Sequence, residues 1–211
     1  MEIMTVFYKD GGFYHQDDSS GLTPDGAISV SEQDYISLLD GQAQGKQIVA
    51  NAKGYPILTE PQPSVYHTWD GTKWAISLEQ QAVKKAEDIA KVREAINALR
   101  DSKINGGVYV EAVGKWIDTD ATAERNILSV KASYDLFGDM EIAWTCADNS
   151  ILMLTKDKLL LIWQALMAAK TSNHANALRH KAAVEQSNDP LAYDYSDGWS
   201  KTYEDYLNEQ N

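Results

Sequence analysis

The 211-residue chain carries a formal net charge of −12 with 44% hydrophobic residues, six Trp and eleven Tyr. Such apolar content supports a packed core and excludes a disordered polyelectrolyte, while the acidity argues against a broad electrostatic surface for nucleic acid or anionic membrane. A single cysteine, Cys146, excludes an intramolecular disulfide and suits a reducing compartment. No basic leader stands at Met1-Glu2-Ile3-Met4 and no apolar run nears the roughly 20 residues of a membrane span, so a soluble, cytoplasmic protein of one or two domains is expected.

In chain order, residues 4–8 alternate as a short strand, and Lys9-Asp10-Gly11-Gly12 turns it into Phe13-Tyr14. Residues 16–21 read as a polar loop. Pro24-Asp25-Gly26 is turn chemistry, followed by a strand over 27–30. Ser31 caps a short helix to Asp40, with Tyr35, Leu38 and Leu39 as its buried face and Gly41 as its stop. Residues 46–50 and 55–58 pair around Asn51-Ala52-Lys53-Gly54. After Pro61 and Pro63, residues 65–69 and 73–76 form a hairpin around Asp70-Gly71 that sets Trp69 beside Trp74.

Residues 77–101 contain neither Gly nor Pro, and Ser77 with Gln80 is a capping-box start. Leu78, Ala82, Ile89, Val92, Ile96 and Leu99 follow a four-three spacing interrupted by Lys85. That spacing offers a coiled-coil seam for self-association; the alternative is a helix lying on its own domain. Asn105-Gly106-Gly107 then breaks the chain, and residues 108–110 and 115–117 pair. Asp118-Thr119-Asp120 starts a helix to about Ser133, and a last hairpin over 140–146 and 151–155 turns at Asp148-Asn149. Thr155 caps a second long helix, with Leu159, Ile162, Trp163 and Leu166 inward, that runs to about Gln186 and stops at Asn188-Asp189-Pro190. The acidic tail holds Tyr193, Tyr195, Trp199, Tyr203 and Tyr206. These rings fit either a docking or carbohydrate-stacking strip or a segment that folds back to close the core of the last helix.

The pattern predicts an α+β chain: a small β-rich domain (1–76), a connecting helix (77–101), a C-terminal domain of hairpins plus helices (102–187) and the tail (188–211). Catalytic constellations are thin. His15 with Asp17 and Asp18 matches a metal cluster only as any acidic loop does. His174 and His180 are six apart, on different helix faces rather than at a ligand spacing of four. Cys146 between Thr145 and Ala147 reads as a buried thiol, and Asp118 and Asp120 as helix-start partners rather than a catalytic pair. No nucleotide-binding loop or hydrolase elbow is present. The expectation is a protein that is not an enzyme and uses no cofactor or metal.

One stretch is more specific. Thr23-Pro24-Asp25-Gly26-Ala27-Ile28-Ser29-Val30, Tyr35 with Leu38-Leu39, Gly41-Gln42 with Gly45-Lys46, and Lys53-Gly54-Tyr55-Pro56-Ile57-Leu58 with Pro61 stand in order over residues 6–61. This resembles the conserved core of phage tail fibre assembly proteins, the small chaperones of phages such as lambda and Mu. A Trp-Asp-Gly-x-x-Trp hairpin before a long helix, as at Trp69–Trp74, also recurs in that family. The second half, through Gly106-Gly107-Val108, Trp116 to Asp120, Ala147-Asp148-Asn149-Ser150 and Ile162-Trp163-Gln164-Ala165, looks like a module of uncharacterised function that accompanies phage tail proteins.

The resemblance implies a chaperone that binds the C-terminal region of a cognate tail fibre in the host bacterial cytoplasm and aids its trimerisation; some members stay at the fibre tip. It places the fibre contact on the 24–58 unit, with Pro24, Asp25, Gly26, Tyr35, Leu38, Leu39, Gly41, Gly45, Lys46, Gly54, Pro56 and Leu58 as candidates that serve either binding or folding. Two rivals stand beside it. One is a permanent virion cap or adhesin component that contacts the host surface. The other is a polysaccharide-cleaving enzyme, which needs a carboxylate pair that the sequence does not offer.

Overall fold

In the computed structural model, residues 5–15 and 23–210 are described. The expected loop at 16–21, and Asp17 and Asp18 with it, lie outside them. The fold is α+β, with five α-helices and eleven short strands among the described residues. Every strand pairing is antiparallel, in one three-stranded sheet and four two-stranded hairpins. The chain divides into two compact units, Met1–Lys84 and Lys85–Asn211.

In the first unit, β1 (Val6–Lys9) is flanked by β2 (Gly12–His15) and β3 (Ile28–Val30). Tyr8 stands opposite Phe13 on one side and Ile28 on the other. The turn into β3 closes where the Ala27 N–H donates to the Pro24 carbonyl at 3.1 Å, with Gly26 at φ +75°. Helix α1 (Glu32–Ala43) starts at Ser31, whose Oγ accepts from the Asp34 N–H at 3.0 Å. Hairpin β4 (Gln47–Ala50)–β5 (Pro56–Thr59) receives it, and Tyr8, Val30 and Leu38 form the core with Tyr35, Tyr55 and Leu58 against them. A second hairpin, β6 (Thr68–Trp69)–β7 (Trp74–Ala75), stacks its two indoles edge to face at 5.5 Å. Both indole N–H groups are satisfied, Trp69 by the Ala50 carbonyl at 2.5 Å and Trp74 by the Glu60 carbonyl at 2.9 Å.

Two expectations for α1 are corrected. Gly41 does not stop the helix; it lies inside it, buried, because a Cβ there would stand 2.2 Å from Leu58 Cδ1. The true end is a Schellman motif one turn later. Gly45 takes φ +92°, the Lys46 N–H donates to the Gly41 carbonyl at 3.1 Å and the Gly45 N–H to that of Gln42 at 3.0 Å. Leu39 is not on the buried face but 38% exposed. The inward stripe runs through Tyr35, Leu38 and Gly41, and Leu39 is turned about 100° beyond Leu38.

Helix α2 (Leu78–Asn105) begins where Ser77 Oγ accepts from the Gln80 N–H at 3.1 Å, and the division between the units falls within it. It extends a turn past the expected end at 101 and stops at Gly106-Gly107, where Gly107 has φ +85° and its N–H donates to Thr119 Oγ1 at 2.9 Å. The second unit continues with hairpin β8 (Val108–Val110)–β9 (Lys115–Ile117), α3 (Ala121–Phe137), hairpin β10 (Ile142–Thr145)–β11 (Ile151–Leu154), α4 (Lys156–Gln186) and α5 (Tyr203–Gln210). Asp120 caps α3 through the N–H groups of Thr122 and Ala123, and Thr155 caps α4 through that of Lys158. Asn149 sits at φ +60° in the last hairpin turn, in the left-handed conformation that Asn tolerates best after Gly. Helix α3 runs one turn beyond Ser133 because Tyr134 is still a core residue, only 3% exposed.

This unit has two cores. One joins Ile117, Ile127, Cys146, Leu154 and Ile162 from both hairpins and from α3 and α4. The other joins Val92 and Ile96 of α2 to Ala177 and Val184 of α4, with Ile89, Tyr193, Tyr195 and Trp199 packed against them. The seam expected for self-association is therefore divided. Val92 and Ile96 are buried within the chain's own core, whereas Leu78, at 84% exposure, and Ala82 face solvent. A four-three spacing looks the same whether the facing helix belongs to another chain or, as α4 does here, to the same one.

Candidate functional site

The resembling residues of the first unit separate into two sets. Tyr35, Leu38, Gly41, Gly54, Pro56 and Leu58 are buried or half-buried and hold α1 on its hairpin. Gly54 adopts φ +82°, and a Cβ there would lie 2.9 Å from Ile28 Cδ1. Asp25, Gly26, Leu39, Gly45 and Lys46 are exposed, with Pro24 half-buried at the edge. Lys9 Nζ donates to the Asp25 carbonyl and so ties that turn to β1. Beside it, Asp34 accepts from the Tyr55 hydroxyl at 2.8 Å and from Ser31 Oγ at 2.7 Å. These two bonds, Ser31 first, hold its carboxyl below the usual range, and the bond to Asp34 raises the Tyr55 hydroxyl.

The aromatic tail folds back, as one of its two readings held, for Tyr193, Tyr195 and Trp199. The residues that fasten it are Asn173, Asn176 and His180, all buried on α4; of these only His180 stands out in the sequence, and there as a candidate metal ligand. The Asn173 amide donates to Ser200 Oγ at 2.7 Å and accepts from the Ser200 N–H at 3.1 Å. Asn176 Nδ2 donates to the Asp197 carbonyl at 2.9 Å. His180 lies flat under Trp199, with ring centroids 5.7 Å apart. Its Nε2 lies 2.9 Å from the Asp197 carbonyl and 3.0 Å from Arg179 Nη2, and its Nδ1 2.8 Å from the Tyr193 hydroxyl. Gly198 takes φ +79° and passes so close that a Cβ would fall 2.5 Å from Asn176 Oδ1. The available signal was three polar side chains continuing the inward phase of Leu159, Ile162 and Leu166, which implies a buried polar partner.

The candidate chemical groups have structural roles. His15 packs edge to face on Tyr35 at 5.3 Å, and among the described residues no three His, Cys, Asp or Glu side chains converge as for a metal. His174 is exposed and His180 buried, on different faces of α4. Burial pushes the Cys146 thiol up, away from the thiolate a nucleophile needs. Asp120 is occupied as the α3 cap.

What remains is apolar surface. Between α3 and α4 runs a groove of about 360 Å³ lined by Ile127, Leu128, Tyr134, Leu159, Leu160 and Trp163, with Lys131, Asp135, Lys156 and Asp157 at its polar edges. Leu128 is 46% and Leu160 56% exposed, and Leu136 and Phe137 at the end of α3 are more exposed still. The Tyr134 hydroxyl is buried without a hydrogen-bond partner among the described residues, and burial raises its pKa. Its apolar lining can exclude water from an apolar partner. No helix among the described residues is long and apolar enough to cross a membrane.

Comparison with known proteins finds no match among curated proteins and none among solved structures. A family match covers the second unit almost from its start, through the groove helices to Asp197 at the tail latch. With residues 87–197 matched, just over half of its length, the chain belongs to the family described as a domain of unknown function, DUF4376.

Proposed function

We propose that this protein is a binding protein of the chaperone kind, whose partner is the C-terminal region of a phage tail fibre during folding and trimerisation. The observation that carries the binding reading is the α3–α4 groove, where Leu128 and Leu160 stand exposed in an otherwise apolar lining. A chain that gains by burying apolar surface leaves such a strip open where a partner covers it. The fibre as partner rests on the resemblance over residues 6–61, whose exposed members Asp25, Leu39 and Lys46 offer a second contact face. In this reading the protein acts in the host cytoplasm during assembly and can remain at the fibre tip.

Deleting residues 24–58 would remove the core of the first unit, so point variants are the sound test. Leu128→Glu, Leu160→Glu and Leu39→Glu each place a charge on exposed surface and leave the fold intact. Co-expressed with the cognate tail fibre, the groove variants lower co-purification and trimer yield about tenfold or more, as loss of an interface anchor does. Unchanged fibre trimer yield with all three variants refutes the fibre reading. The mass of the wild-type complex gives its stoichiometry.

A further inference from the structure

A second concave surface lies on the other hairpin of the same unit. Between β8–β9 and α5 a groove of about 750 Å³ is walled by Tyr109, Trp116, Tyr203 and Tyr206, with Lys115 and Asp148 at one side and Ser200 and Lys201 at the other. Tyr109 and Trp116 are a cross-strand pair in register, with centroids 5.7 Å apart. Trp116 also meets Tyr203 at 5.7 Å and Tyr206 at 5.6 Å. Docking of α5 on the hairpin explains why Trp116 is buried. It does not explain why Tyr109 is 50% exposed or why the space beside these rings is open. The volume falls within the range of small-ligand sites.

We propose that this groove binds an uncharged sugar ring of a saccharide. Three observations fix the chemical class. The rings offer flat apolar faces for the C–H face of a pyranose, and the hydroxyls of Tyr109, Tyr203 and Tyr206 make no hydrogen bond among the described residues. The two cations that line the groove are matched by carboxylates: Lys115 by Asp148 at 3.5 Å and Lys201 by Glu209. An anionic ligand would have to break these pairs and approach a chain of net charge −12, whereas hydroxyl groups can hydrogen-bond to the paired charges as they stand. A nucleotide, which also stacks on aromatic rings, carries phosphates and meets the same obstacle. This site is separate from the α3–α4 groove, and the proposal does not rest on the fibre reading.

The test uses the full chain. Saturation-transfer NMR is recorded with neutral trisaccharides of glucose, galactose and N-acetylglucosamine, with inorganic phosphate and a sulfated saccharide as anionic probes. At least one neutral saccharide shows transfer strongest at its ring C–H protons. Tyr109→Ala and Tyr206→Ala weaken that binding about tenfold while a cooperative unfolding transition is retained, its midpoint lowered by the lost ring contacts on Trp116. Leu160→Glu, in the other groove, leaves it unchanged. Absence of transfer to every neutral probe overturns the proposal, as does binding that both tyrosine variants retain or preferential binding of the anionic probes.

Discussion

Gly41 provides the sharpest test of the packing argument, because two physical effects there have opposite signs. In a solvated helix, Gly→Ala stabilises by roughly 0.5–1 kcal/mol, since glycine loses more backbone freedom on folding. Here the new methyl would stand 2.2 Å from Leu58 Cδ1, 2.8 Å from Cδ2 and 3.1 Å from Cγ. The overlap reaches the branch point of the leucine, so turning its tip aside does not relieve it. Overpacking of this kind costs roughly 1–3 kcal/mol, so a net loss of about 1–2 kcal/mol is expected. Hydrogen–deuterium exchange of peptides from α1 and β5 reads the first unit without averaging over the second. Gly41→Ala should lower their protection about 5–30-fold, which is what 1–2 kcal/mol amounts to. In a Leu58→Ala background the overlap is gone and the same substitution should raise protection by up to about fivefold. If Gly41→Ala stabilises α1 while Leu58 is present, the close approach is wrong.

Two further predictions follow from α2 and α5. Ile96→Ala, at a position with 0% exposure, should destabilise the second unit by about 2–5 kcal/mol. It should do so without changing the mass measured in solution, and Leu78→Glu should have little effect on stability; a change of mass with Ile96→Ala would restore the seam to an intermolecular role. Asp205 holds α5 through Lys103 and the Thr202 N–H, and the Lys103 bond above all lowers its carboxyl from 3.8 to about 2. A depressed folded-state value stabilises above the unfolded pKa and ceases to do so as pH falls through the folded one. The gap in thermal midpoint between wild type and Asp205→Asn should thus be full above pH ~4 and close between ~4 and ~2; a gap that is constant over this window contradicts the assigned contact.

The sequence by itself determined most of the elements and the starts of helices α1 to α4. Ser31, Ser77, Asp120 and Thr155 cap the helices expected of them, and Asn51 to Gly54, Asp70-Gly71 and Asp148-Asn149 turn the hairpins. Each of these signals is closed by hydrogen bonds within about four residues, so no distant partner is needed to read it. The tertiary structure decided what each face meets. Only the arrival of Leu58 makes Gly41 a contact rather than a stop, only α4 takes Val92 and Ile96 out of an intermolecular seam, and only a chain returning over Asn173, Asn176 and His180 gives those buried polar groups partners. Both grooves belong to this second kind of knowledge. Tyr109 and Trp116 are paired by their own hairpin, but Tyr206 reaches them from some ninety residues away, through a loop whose path no local preference sets. A surface assembled from such distant segments is specified by long-range packing, and that is written in the sequence only as complementarity between residues it keeps far apart.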